Sequence, residues 1–173
     1  MDIIYETERL FLKVFNQNDL EEAKRFWGDK EVMDQSGGIT PHEILPKVLE
    51  GYERCHQVKG LSVYAVAEKS TGKVIGAAGF NVSDSVERIE LLYHFSKPFW
   101  GKGFATEAAR ACMEIARQNS DCKIIYASAN PLNLASVKIL ELLGFQSIEM
   151  RWFEDTNQKE PYYEYKVRPY RIV

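Results

Sequence analysis

The stretch Tyr93-His94-Phe95-Ser96-Lys97-Pro98-Phe99-Trp100-Gly101-Lys102-Gly103-Phe104-Ala105-Thr106-Glu107-Ala108 reads as a strand that runs through a glycine-bearing loop into a helix. Glycines at 101 and 103 let the backbone turn its amides inward and approach a ligand closely. The free N–H groups of the following helix add the positive end of its dipole. Such a loop suits phosphate oxygens, a pyrophosphate above all, and Lys102 adds a cation at its rim. The letters exclude two familiar phosphate loops. A dinucleotide fingerprint needs a third glycine where Thr106 stands, and Gly101-Lys102-Gly103-Phe104 lacks the spacing of a Walker loop.

The remaining elements must hold that loop in place. The chain has 173 residues, 45% hydrophobic and 27% charged, which suits one domain spanning 1–173. At this length roughly 70% of the unfolded surface can be buried, so folding needs neither disulfides nor a structural metal. Leu10, Leu12 and Val14 alternate with polar or outward positions, the period of a half-buried strand. Asn18 with Glu21 resembles a capping box for a helix that carries Leu20, Ala23 and Trp27 and stops at Gly28. The acidic run Asp29-Lys30-Glu31-Val32-Met33-Asp34 reads as a solvated loop, with attraction of a cationic ligand as the alternative. Thr40-Pro41-His42-Glu43 opens a second helix with Ile44, Val48, Tyr52 and Cys55 on one stripe, and Pro46 marks a late start or a kink.

Strands are expected over 61–68, 73–81 and 86–95 as an antiparallel meander, followed by a helix over 103–118 with Ala105, Ala108, Cys112 and Ile115 inward. A strand over 123–129, a helix over 133–143 stopped by Gly144, and strands over 145–152 and 162–167 around a polar loop complete the chain. The order β α α β β β α β α β β predicts an α/β (α+β) domain, a mixed and mostly antiparallel central sheet with helices on both faces.

Charge and composition narrow the partners. Twenty-two Lys plus Arg against 25 Asp plus Glu give a net charge of −3, with no basic stripe, which argues against nucleic acid and is compatible with a cationic small substrate. Cys55, Cys112 and Cys122 form no CxxC pair and have no His at metal-ligand spacing, so they read as reduced thiols and no metal site is expected. Met1 to Glu6 shows no basic segment followed by an apolar one, so a cytoplasmic location is expected. The longest apolar run, Val74 to Phe80, is too short to span a membrane.

Trp100-Gly101-Lys102-Gly103-Phe104-Ala105-Thr106-Glu107-Ala108, then Asn133-Leu134-Ala135-Ser136 and Leu143-Gly144-Phe145, resemble the GNAT N-acetyltransferase superfamily. Together with Arg9-Leu10, Gly76 to Gly79 and Glu90-Leu91-Leu92-Tyr93, in the same order, they are similar to its RimJ/RimL-type branch of ribosomal-protein N-terminal acetyltransferases. The resemblance implies acetyl-CoA as donor and a primary amine, a protein N-terminus or a small molecule, as acceptor. By position it implies that Tyr93 and Phe95 offer backbone groups to the pantetheine arm. The loop amides of Trp100, Gly101, Lys102, Gly103, Phe104 and Ala105 would hold the pyrophosphate, with Thr106 adding a hydroxyl and Asn133 meeting the pantetheine. Two positions depart from the family: Pro98 replaces a frequent Gln or Arg, and Leu140 replaces the tyrosine often used as general acid. Ser136, one turn into its helix, is then the candidate to assist a departing thiolate, whose reference pKa of ~8.5 makes it a fair leaving group unaided.

An attacking amine must be neutral, whereas a free alkylamine has a pKa of about 10, so a base is required. Glu90 is the first candidate, with pairing to Arg88 as its alternative role. His94 shares its face, but four strand residues separate them by about 13 Å, too far for a dyad. Tyr162, Tyr163 and Tyr165 resemble one wall of an acceptor cleft, although alternation sends at least one into sheet packing. The leading expectation is direct acetyl transfer in a ternary complex; the alternative is a non-catalytic acyl-CoA sensor or adapter. The sequence leaves the oligomeric state open.

Overall fold

The computed structural model describes residues 2–168; residue 1 and residues 169–173, part of the expected 1–173 domain, lie outside the described residues. The chain order is β1 (Ile3–Glu6), β2 (Leu10–Lys13), α1 (Leu20–Lys24), α2 (Lys30–Met33), α3 (Leu45–Lys59), β3 (Val63–Glu68), β4 (Val74–Asn81), β5 (Arg88–Phe95), α4 (Phe104–Arg117), β6 (Ile124–Ser128), α5 (Leu134–Leu143), β7 (Gln146–Phe153) and β8 (Gln158–Lys166). The strands form one sheet ordered β1-β2-β3-β4-β5-β6-β8-β7. Neighbours run antiparallel except β5 and β6, which are parallel. A parallel pair needs a crossover, and α4 supplies it.

Each face has its own apolar layer. On one, Phe15, Phe26, Trp27, Leu45 and Leu49 pack on Val63, Ala65 and Ala77. On the other, the stripe of α4, with Ala108, Cys112 and Ile115 buried, packs on Ile75, Phe80, Ile89 and Ile125. Glycines in β4 allow its neighbours β3 and β5 to approach closely within the sheet. A side chain at Gly79 would meet the Ser62 carbonyl oxygen at 2.4 Å, and one at Gly76 the His94 carbonyl oxygen at 2.5 Å.

The expected order is present, with refinements at several ends. β1 is an added edge strand, half-exposed along its length and without an alternating pattern. The first cap belongs to Asn16 rather than Asn18: Asn16 Oδ1 accepts from the Asn18 N–H, and Asp19 Oδ2 accepts from the Asn16 N–H. Asp19 is already committed to Lys13, 2.7 Å away, and this buried pair selects the earlier register. The acidic run holds the single turn α2, capped by Asp29 on the Val32 N–H and anchored by buried Met33. α3 starts at Leu45 instead of after Thr40, with Pro46 in its first turn where a missing N–H costs nothing. Cys112 and Cys122 are buried, and all three cysteines are free. No helix among the described residues is long and apolar enough to cross a membrane.

Candidate functional site

β5 and β6 pair only through Arg88 with Ile124, Ile89 with Ile125 and Glu90 with Tyr126. Beyond Glu90 they part, and a cleft of about 910 Å³ opens between Leu91 to Phe95 on one side and Ala127 to Ala129 on the other. The glycine loop closes one end, and Glu90, Asn81 and Asp155 line the other, while Glu31 in the lining pairs with Lys97. Of the expected site residues, Glu90, Tyr93, Phe95, Asn133 and Ser136 all line this cleft, as do Trp100, Gly101, Gly103, Phe104, Ala105 and Thr106 of the loop. Lys102 does not: its Nζ lies 5.7 Å from the centroid of the Phe99 ring.

The loop is held from two directions. Trp100 donates its indole N–H to the Phe95 carbonyl at 2.8 Å, so that carbonyl is engaged by the protein itself. Arg9, at the entrance to β2, donates from Nη1 to the Lys102 carbonyl and from Nε to Glu107 Oε1, both at 2.9 Å, and lies over the Phe104 ring. Thr7 donates to the other oxygen of Glu107. Gly101 and Gly103 adopt φ of 74° and 81°, in the left-handed region that glycine tolerates best. A Cβ on Gly101 would meet nothing within 4 Å, so it would project into open space. Gly103 precedes α4 directly, which leaves the first N–H groups of that helix without a side-chain cap. These residues could hold the diphosphate of an acyl-CoA, through the uncapped N–H groups and dipole of α4 and bare glycine where a side chain would intrude.

Across the cleft, Asn133 caps α5, its Oδ1 accepting from the Ser136 N–H at 3.1 Å, so its Nδ2 is the end free for a ligand. Ser136 Oγ lies 2.9 Å from the Tyr93 hydroxyl, a hydrogen bond that ties β5 to the first turn of α5. Burial pushes the Tyr93 phenol up to about 12. Leu140, where the family often has a tyrosine, is buried in the core. The hydroxyl that reaches this region comes from Tyr93, on a different element.

Glu90 accepts from Asn81 Nδ2 at 3.0 Å. Burial raises its carboxyl above the usual range and the Asp155 charge adds to this; Asn81 and Arg88 act in the opposite direction. The expected Arg88 pairing gives way to another arrangement, because Arg88 stacks 4.1 Å from the Tyr126 ring centroid and donates to the Tyr162 hydroxyl. His94 faces the same cleft, but burial lowers its pKa to about 4. Tyr162, Tyr163 and Tyr165 do not form a cleft wall. Tyr162 is covered by Arg88 and Arg151, Tyr163 is buried, and Tyr165 packs on Phe145. The sequence reading missed Glu160, a carboxylate 3% exposed that lines the cleft and accepts from Gln158. β8 begins earlier than its hydrophobic pattern suggested, and the alternation of Glu160 with Tyr162 was the signal available.

A fork between parallel strands beside a glycine loop that opens a helix is the arrangement of GNAT-type acyltransferases. The Acetyltransferase (GNAT) domain matches residues 9–146, and the chain belongs to that family of N-acetyltransferases. It is 31% identical over 153 residues to an uncharacterized N-acetyltransferase p20 of Bacillus licheniformis, covering 84% of this chain and 83% of that protein. A GNAT-family acetyltransferase structure from Bacillus anthracis superposes with a TM-score of 0.79 at 21% identity, over 96% of this chain and 98% of that one. A ribosomal L7/L12 alpha-N-protein acetyltransferase solved with coenzyme A gives 0.80 at 17% identity, over 96% and 98%.

Proposed function

We propose that this enzyme takes acetyl-CoA as donor and transfers its acetyl group directly to a primary amine while both are bound. The observation that carries this reading is a single continuous cleft with a diphosphate loop at one end and a poised carboxylate, Glu90, at the other. Acetyl-CoA supplies the acyl group: the amine nitrogen bonds to the thioester carbonyl carbon, the carbon–sulfur bond breaks, and coenzyme A leaves as a thiolate that takes up the second proton the nitrogen sheds on becoming an amide. The loop from Trp100 to Ala105, Thr106 and Asn133 hold the donor, and the open edge of β5 at Tyr93 orients its arm. Glu90 takes the proton from the incoming ammonium at its free oxygen. Ser136, oriented by Tyr93, donates a hydrogen bond toward the departing sulfur.

The cleft lining carries Asp34, Glu90, Asp155 and Glu160, together with Glu31 paired to Lys97, and has Lys138 as a cationic lining residue. This balance draws in an amine that arrives protonated. A protein N-terminus is the first acceptor to test, because the motifs resemble the RimJ/RimL-type branch and the L7/L12 neighbour acts on one; polyamines and other small amines follow. The test is mass-spectrometric detection of acetylated products after incubation with acetyl-CoA and a library of peptides and amines. Acetylation of one acceptor class, reduced about 100-fold in Glu90→Gln, is expected. Coenzyme A binding without product on any acceptor would overturn the reading.

A further inference from the structure

Glu90 is gripped from the neighbouring strand. Asn81 is its direct cross-strand partner, the terminal residue pair of β4 and β5. The Asn81 amide donates from Nδ2 to Glu90 Oε1 at 3.0 Å, and the Tyr52 hydroxyl of α3 donates to Asn81 Oδ1 at 3.5 Å. A hydroxyl proton at the oxygen end of the amide fixes which way it lies, so its nitrogen end faces Glu90. Among the described residues none donates to Glu90 Oε2, and both Glu90 and Asn81 line the cleft.

We propose that Asn81 is a positioning residue for acetyl transfer: held in turn by Tyr52, it clamps one carboxylate oxygen of Glu90 and leaves the other turned toward the acceptor amine. The inference rests on Glu90 being the base. A neutral amide suits the task better than a cation would. It stabilises the carboxylate through one hydrogen bond but does not neutralise the charge that must accept a proton. Arg88, the nearby cation, is drawn away by Tyr126 and Tyr162. The other groups that face Glu90 are Asp155 from the β7–β8 turn, whose charge pushes its carboxyl up, and the neutral hydroxyls of Tyr126 on β6 and Tyr52 on α3. Against burial and Asp155, the Asn81 bond keeps the carboxylate available.

The test compares Asn81→Leu, Asn81→Asp and Tyr52→Phe in the full chain. The Glu90 side-chain carboxyl is followed by NMR of 13C-glutamate-labelled protein from about pH 4 to 9, assigned with Glu90→Gln, a measurement that needs no acceptor. Turnover of acetyl-CoA with an alanine-led peptide and spermidine gives the matching pH–rate profile. The Glu90 midpoint is expected to rise by about one pH unit in Asn81→Leu, further in Asn81→Asp, and less in Tyr52→Phe. The acid limb of kcat should follow, the KM for acetyl-CoA should stay the same, and Asn81→Leu should cost nothing more once Glu90 is Gln. An unmoved Glu90 midpoint in folded Asn81→Leu and Asn81→Asp, or an equal loss in the Glu90→Gln background, would overturn the clamp. Full turnover by Glu90→Gln itself is a separate outcome: it removes the base, and the clamp's purpose with it.

Discussion

Trp27 donates its indole N–H to Nδ1 of His94 across 3.1 Å, and this bond decides what the imidazole can do. The lone pair that a base would use is spent on the indole, so the ring proton sits on Nε2. His94 is therefore a neutral donor in the cleft, which leaves the proposed base role to Glu90.

This arrangement makes stability depend on pH in a stated direction. Burial depresses the folded pKa of His94 from 6.5 to about 4, so between these values the unfolded chain binds a proton that the folded chain refuses. The contribution is complete above pH 6.5 and is lost as pH falls toward 4, to the extent of about 3 kcal/mol. Urea unfolding at several pH values, wild type against His94→Asn, should show a flatter profile for the variant. Parallel profiles would contradict the neutral imidazole.

Gly101 faces open space at φ 74°, so Gly101→Asp places a negative charge where a diphosphate is expected. Affinity for coenzyme A should fall by about 100-fold in a calorimetric titration. The left-handed backbone costs about 1 kcal/mol of stability. Gly103→Asp should likewise abolish binding while the fold persists. Wild-type affinity in both would remove the loop from the site.

Arg9 reaches the loop through the Lys102 carbonyl, Glu107 and the face of Phe104 at once. Arg9→Gln should raise the Kd for coenzyme A about tenfold by loosening the loop, while stability changes by about 1 kcal/mol or less. Arg9→Lys should not restore it, because an ammonium cannot make the two directed bonds and stack. Unchanged affinity in either variant would show that the loop holds its shape without this tether.

Lys13 and Asp19 form a buried pair at 2.7 Å, and Asp19 also receives the Asn16 N–H. Lys13→Met leaves the carboxylate buried without its counter-charge and should cost about 3–5 kcal/mol in urea unfolding. A cost below about 1 kcal/mol would mean that Asn16 alone satisfies Asp19.

The loop was legible because its chemistry is local: two glycines between a strand and a helix can be read from adjacent letters, and both do adopt positive φ. α4 was legible because its stripe repeats at helical spacing and is buried. β1 gave no such pattern, lying exposed or half-exposed throughout, and α2 is too short for a period to register. Capping was misassigned by two residues because the choice rests on Lys13, a partner beyond the helix. The same holds for the site. Trp27 and His94 stand 67 residues apart and Tyr52 and Asn81 29 apart, so only the folded register joins them.

Glu90 stands on the last rung that joins β5 to β6, the seam where the antiparallel run β1 to β5 meets β6 to β8 in the sheet. That rung closes only once the α4 crossover folds back and brings Tyr126 beside Glu90. The proposed proton acceptor and the proposed donor cleft thus come together only when that rung forms. A chain with that rung open is idle instead of spending acetyl groups on water, and recovery of turnover during refolding should coincide with formation of the β5–β6 pairing.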